Sequence, residues 1–211
     1  PQVEGILTRN LKQNWFSVLF YKFVGGLICL GAGLSVGREG PSVQMGACVG
    51  EGVSEKTNKL DNEKKYLITS GASAGLSAAF NAPISGVMFS LEETHKNFSP
   101  FVLVSAMIAS LMADFVSKNF FGLTPSLYFE RLNSLPLKYY WGLIILGIII
   151  GTSGVIFSKG LLKTQDLYKK LNMSVEVKCI IPFIMTGILA LIFPIVLGGG
   201  HELIMSLKDG Q

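Results

Sequence analysis

The sequence predicts an all-α membrane protein, and three observations carry that prediction. Charged residues make up 15% of the chain and hydrophobic ones 49%, against about a quarter charged in soluble domains, so little of the surface is suited to water. Residues 139–158 and 179–200 contain no charge, and each is long enough to cross a hydrocarbon core, which takes about 20 residues of helix. A third uncharged stretch, residues 67–91, is interrupted by Gly71, Gly75, Asn81, Pro83 and Gly86. It reads as two short helices rather than one span.

The elements follow in order. Residues 16–36 form the first membrane candidate, broken only by Lys22 and rich in glycine at Gly25, Gly26, Gly31 and Gly33, a density that permits close helix contact in lipid. A second helix is expected to start at Gly40-Pro41, because proline is favoured at the first helical position, where its missing N–H is no loss. Gly46 and Gly50 then share one of its faces. Residues 51–65, crowded with charge from Glu51 to Lys65, read as an aqueous loop. Helices are expected at 65–79, 83–93 and 100–120, then an exposed loop at 124–138 holding Glu130 and Arg131. A long helix over 137–170 crosses the membrane and emerges into water. The next crossing, 175–197, carries Pro182 and Pro194 as kinks, and Gly198-Gly199-Gly200 makes a turn.

Several classes are disfavoured by composition. Cys29, Cys48 and Cys179 are odd in number, lack metal-ligand spacing and lie in apolar surroundings, so a disulfide framework or a metal site has no basis and buried packing is expected. A net charge of +4 with lysines mainly in loops gives no nucleic-acid surface. The chain opens at Pro1-Gln2-Val3-Glu4-Gly5 without a signal peptide and is expected to be a piece of a longer protein. Lys159, Lys163, Lys169, Lys170 and Lys178 put the loop after the long helix on the cytoplasmic side. Counting back two crossings puts the end of the 83–93 helix, with Glu92 and Glu93, on that same side.

Two glutamates stand where glutamates are costly. Glu39 lies in Gly37-Arg38-Glu39-Gly40-Pro41, and Glu93 closes Phe89-Ser90-Leu91-Glu92-Glu93. Ionisable groups beside membrane-embedded sequence are expensive unless paired or solvated, which marks them as functional. A helix starting at Gly40 offers unpaired N–H groups and a partial positive charge to an anion, and Gly37 and Gly40 allow close approach. Glu39 at that mouth can occupy the anion position when ionised and leave it when protonated.

Gly37-Arg38-Glu39-Gly40-Pro41, the stretch from Gly71-Ala72-Ser73-Ala74-Gly75 to Ala82-Pro83, and the Glu92-Glu93 pair together resemble the ClC family of chloride channels and chloride/proton antiporters. Pro1 resembles the last residue of that family's Gly-Ser-Gly-Ile-Pro motif. The resemblance implies a ClC-like inverted-repeat bundle of tilted and broken transmembrane helices around a midplane anion site. Residues 1–122 would hold most of the first repeat, with the anion-site loop and the gating glutamate, and 123–211 the start of the second. It implies Glu39 as gate, Gly37, Arg38, Glu39, Gly40 and Pro41 around the anion, Glu93 as inner proton relay and Glu92 as an accessory to the proton path. It further implies a structural cluster of Glu4, Lys22 and Arg38, against the alternative that Lys22 snorkels to an interface.

The implied activity is secondary active chloride/proton antiport, with chloride and protons as substrates, no cofactor and no metal. A lipid bilayer and a second copy of the chain are the implied partners, and the compact loops suit a bacterial inner membrane. A passive chloride channel of the same fold is the alternative, since family channels commonly carry a nonpolar residue where Glu93 stands. The inner-site serine and the second-half Gly-x-Phe-x-Pro motif and tyrosine are not in the sequence, so this piece alone is not expected to transport. An intramembrane hydrolase would need both acids at one bond, and a P-loop would need Lys-Ser/Thr after its glycines.

The remaining polar residues read more plainly. His95 is expected to face water at a helix end and His201 has no partner at ligand spacing. Trp15, Trp141, Tyr139 and Tyr140 fall at span edges as interfacial anchors. Asp114 is left open between a helix end and a buried partner.

Overall fold

Asn14 begins the first long helix by accepting the N–H groups of Phe16 (3.1 Å) and Ser17 (3.2 Å), which satisfies two donors that a helix start leaves unpaired. The computed structural model describes residues 2–8, 11, 13–96, 98–122, 136–194, 197–200 and 204. Its helices are α1 (Gln2–Leu7), α2 (Trp15–Gly31), α3 (Glu39–Lys56), α4 (Asp61–Phe80), α5 (Pro83–Phe89), α6 (Pro100–Phe121), α7 (Tyr140–Lys170) and α8 (Val175–Ile192). A π-helical turn, Ser90–His95, continues α5, and a 3-10 turn, Leu137–Tyr139, leads into α7. The expected loop at 124–138 falls, except for its last residues, outside the described residues, as do Pro1, Glu130, Arg131, His201 and the side chain of His95.

The chain divides into two compact units, Pro1–Tyr128 with Leu197–Met205, and Phe129–Val196 with Ser206–Gln211. In the first, α3 and α4 lie backbone to backbone. A Cβ on Gly46 would fall on the carbonyl oxygen of Gly71, and a Cβ on Gly71 would fall on that of Gly46. Only hydrogen fits at this crossing, the small-residue packing that serves helices lacking a hydrophobic drive to associate. Val43, Ala47, Ile68, Ala72 and Leu76 fill the core beside it, closed on the other side by Val3, Ile6 and Leu7 of α1. Across α4 and α6, Ser73 and Ser110 share a hydroxyl hydrogen bond of 2.6 Å, and Ser77 Oγ donates to the Ser110 carbonyl at 2.9 Å.

The interruption of residues 67–91 has a local cause. Asn81 ends α4 in the left-handed conformation, φ 53°, which asparagine tolerates better than most residues, and Pro83 opens α5. α6 likewise starts on Pro100. In the second unit α7 and α8 have no buried residues, and Pro182 lies inside α8. Among the described residues three helical stretches are long and apolar enough to span a bilayer: Pro100–Phe121, Leu137–Lys170 and Val175–Ile192. α2 is apolar but shorter.

Three expectations need correction. The charged stretch 51–65 is mostly helix: α3 runs to Lys56 and α4 starts at Asp61. Glu51 is buried, with Gln13 Nε2 donating at 3.0 Å and Lys64 Nζ at 3.1 Å, so its charge is neutralised inside the helix pair rather than by water. The glycines of α2 do not make the close approach expected of them, since a Cβ at Gly25, Gly26 or Gly31 would meet nothing within 4 Å; α3 and α4 make it instead. Of the three cysteines only Cys48 is buried, Cys29 being half-buried and Cys179 exposed on the uncovered face of α8.

Candidate functional site

The site is built on the start of α3. Glu39 is its first residue, Arg38 precedes it, and no side chain caps the end, so the first-turn N–H groups and about half a positive charge are left to whatever approaches. The first bonds across the turn run from the Ser42 N–H and hydroxyl to the Arg38 carbonyl, at 3.1 and 2.8 Å. Pro41 sits within that first turn, where an N–H would have no helical partner. The half-buried Glu39 folds its carboxylate back over Gly37, with Oε2 2.5 Å from where a Cβ on Gly37 would stand. The Glu39 carboxylate thus lies over Gly37 at the mouth of the helix that attracts anions.

A cavity of about 1020 Å³ opens beside this mouth, lined by Glu4, Lys22, Glu39, Gly40, Gln44 and Glu93, with apolar walls that include Leu76 and Phe89. Glu39 and Glu93, far apart in sequence and on different elements, therefore face one space. Glu92 and Glu93 are both exposed, and of the two only Glu93 lines the cavity. Consecutive side chains of a helix point in different directions, so Glu93 can face the cavity while Glu92 does not; the turn that carries them is π-helical, a form that concentrates at functional sites. Gly40 and Pro41 also line the cavity, while Gly37 and Arg38 line a separate groove between α2 and α3.

The structure brings together part of the expected charge cluster and adds a member. Glu4 and Lys22 both line the cavity, but the cation bound to Glu4 is Lys96, Nζ to Oε1 2.5 Å. Lys22 has no ion pair within 4 Å among the described residues. Lys96 beside Glu4 holds its carboxyl below the usual carboxylate range. Sequence reasoning missed Lys96 because it falls just beyond the expected helix end; its place three residues after Glu93 was the available signal. It also missed Gln44, which is buried on the inward face of α3. Asp114 satisfies both options left open: it is buried, it lies in the last turns of α6, and Lys118 pairs with it at 2.6 Å. Among the described residues no group of three His, Cys, Asp or Glu side chains has the geometry to hold a metal.

Against known proteins, the voltage gated chloride channel family profile matches residues 1–211. The chain belongs to the ClC family. Curated ClC relatives include the H(+)/Cl(-) exchange transporter ClcA of Salmonella typhi and of Salmonella typhimurium, each 36% identical over 218 residues that take in 100% of this chain and 46% of the relative. The chain thus spans about half the length of these ClC relatives. Among solved structures, a slow cyanobacterial Cl-/H+ antiporter superposes with a TM-score of 0.83 at 33% identity, covering 95% of this chain and 48% of that one. An all-helical ClC fold is the finding of both sequence and structure, and the family gives no support to the hydrolase or P-loop alternatives.

Proposed function

We propose that this chain is the part of a secondary active chloride/proton antiporter that carries the gate and the inner proton relay. One observation carries the reading: the Glu39 and Glu93 carboxylates line the same cavity, at the uncapped start of α3. A chloride ion in that cavity meets the N-terminal turn of α3. Glu39, whose carboxylate already lies at that turn, competes with the anion for it while ionised and yields to it once protonated. Glu93 supplies the second carboxylate a proton needs to reach Glu39 without sharing the whole anion route. The likeness to proteins named as exchange transporters supports this, as does an ionisable residue at position 93, where a passive channel has no use for one.

In this reading residues 1–122 are most of the first inverted repeat and 123–211 the beginning of the second, with Gly37, Arg38, Gly40 and Pro41 shaping the anion loop and Glu92 a lesser contributor to the proton path. The whole protein is a homodimer in a bacterial inner membrane, with the Glu93 end of α5 facing the cytoplasm. The exposed apolar faces of α7 and α8 suit lipid or protein within that membrane. The test is Glu39→Gln in the whole protein reconstituted into liposomes. A permanently neutral side chain at the gate should leave chloride flux, remove its pH dependence and abolish proton pumping by a chloride gradient. Uphill proton movement in Glu39→Gln would sink the assignment.

A further inference from the structure

The helix α7 is longer than a bilayer needs. Residues 139–158 carry no charge and, at 1.5 Å per residue, already span a hydrocarbon core of about 30 Å. Lys159 is therefore the first residue at headgroup depth, and the helix continues past it to Lys170. Between Lys159 and Lys178 the chain carries five lysines but only two acids, Asp166 and Glu176. At 3.6 residues per turn Lys159, Lys163 and Lys170 lie within about 40° of one another around the helix axis. Asp166 shares that side, but its carboxylate is paired with Lys169 at 3.6 Å. Lys159, Lys163 and Lys170 are exposed and, among the described residues, have no acid within 4 Å. The opposite side of the helix is apolar: Phe157, Leu161 and Tyr168 line a groove of about 700 Å³ shared with Pro182 of α8. The lysine stripe thus points away from α8. At the other edge of the span Lys138 is engaged, its Nζ 4.8 Å from the centre of the Tyr139 ring.

We propose that this stripe is a docking site for the headgroups of anionic phospholipids. The inference needs only that α7 spans the bilayer, and it stands apart from the antiport reading. Three ammonium groups without acids cannot be covered by apolar side chains or lipid tails without a large desolvation cost. Where the helix leaves the hydrocarbon, the anion present at high density is the headgroup phosphodiester. Lysine stems lie along apolar surface while their ammonium groups reach that layer, and each lysine so placed adds about fivefold to the affinity for an anionic surface. Depth ranks the three residues. The headgroup layer is roughly 5 to 8 Å thick on each side of the core. Lys163 stands about 6 Å beyond Lys159 along the axis, within that layer, whereas Lys170 stands about 16 Å beyond and meets only the screened field outside it. Lys159 and Lys163 are the main contacts, and Lys170 is the lesser one.

The experiment is native mass spectrometry of the whole protein in detergent, titrated with phosphatidylglycerol and, in a parallel arm, with phosphatidylcholine of the same acyl chains. Wild type should bind phosphatidylglycerol in preference. The double variant Lys159→Gln/Lys163→Gln should weaken that binding by about tenfold or more and leave phosphatidylcholine binding unchanged, which also shows that the variant is folded. Lys170→Gln should weaken it by less than Lys159→Gln or Lys163→Gln alone, and Lys159→Arg/Lys163→Arg should keep the wild-type preference. Unchanged phosphatidylglycerol binding in the double Gln variant overturns the proposal and leaves the lysines to an acidic protein segment. Equal weakening by Lys56→Gln/Lys59→Gln, which removes the same charge beside the end of α3, overturns it too, because the effect would then be net charge rather than the stripe. Inorganic phosphate should not displace the bound lipid; displacement would make this a site for free anions and overturn the headgroup assignment.

Discussion

Gly46 and Gly71 make the most demanding contact in the first unit, and a paired substitution there tests whether the start of α3 is held by backbone approach. In each direction the missing Cβ would land on the other glycine's carbonyl oxygen, well inside ordinary van der Waals contact. Gly46→Ala must therefore push α3 and α4 apart by about 1 Å, in a region packed to near-crystalline density. Overpacking of this kind costs about 1 to 3 kcal/mol, partly offset by the better helix propensity of alanine, roughly 1 kcal/mol. Gly71→Ala should cost about the same, since the contact is reciprocal. The double variant should cost less than the sum by about 1 kcal/mol or more, because one separation of the helices relieves both clashes and contacting residues are not additive. The assay is unfolding of the purified whole protein by SDS titration in mixed micelles, with all four species compared. Wild-type stability in either single variant, or strict additivity in the double, would refute the claim that these backbones touch.

Three further outcomes follow from the same geometry. Glu51→Ala leaves Gln13 with only the Cys48 sulfur as acceptor, at 3.5 Å, but lets Lys64 keep Glu55 at 3.5 Å, so the cost should be about 2 kcal/mol, below the 3 to 5 typical of breaking a buried pair; SDS titration reads it, and a value near zero would mean that Glu51 is solvated. Asp114→Ala should destabilise less than Lys118→Ala, because the second leaves a buried carboxylate without its cation at 2.6 Å whereas the first leaves a lysine able to reach water; the reverse order in the same titration would contradict that geometry. The Glu4–Lys96 pair has a defined pH window: the lowered Glu4 pKa gives stability present above its unfolded value of 4.5 and lost as pH falls through the folded value, while the raised Lys96 pKa gives stability present below 10.5 and lost as pH rises through the folded value. Melting temperatures of wild type and Glu4→Gln should thus differ by a constant small amount across neutral pH and converge at strongly acid pH, and a difference that changes between pH 6 and 8 would show that another group titrates there.

Much of this architecture is readable from the chain, and what is not has identifiable causes. Proline at 83 and 100, and the long uncharged run through residue 158, mark helix starts and a span because each acts through local backbone chemistry or bilayer thickness. The α3 start is legible for the same reason, with Glu39 rather than Gly40 as the first residue. Residues 51–65 were misread because charge density signals water, whereas the helical period continues through it: Ala47, Gly50, Glu51 and Ser54 fall at i, i+3, i+4 and i+7 and are all buried. The compensating lysine lies in the next helix, so the burial of Glu51 is a tertiary fact. Glycine count likewise cannot tell which helix face meets a partner, and the crossing at Gly46 and Gly71 had to be seen in three dimensions. At the site, Glu39 and Glu93 were visible as acids out of place, but the sharing of one cavity and the hold of Lys96 on Glu4 depend on how α1, α3 and the π-helical turn converge.

The central claim, that Glu93 relays protons to a gate at Glu39, is tested most directly by the reversal potential of the whole protein in planar bilayers under opposed proton and chloride gradients. The account predicts a wild-type potential displaced from the chloride equilibrium value toward that of coupled exchange. Glu93→Gln should return it to the chloride value with current retained, and Glu92→Gln should keep at least part of the displacement. A wild-type potential that follows chloride alone would make the protein a passive channel, and full coupling in Glu93→Gln would contradict the relay.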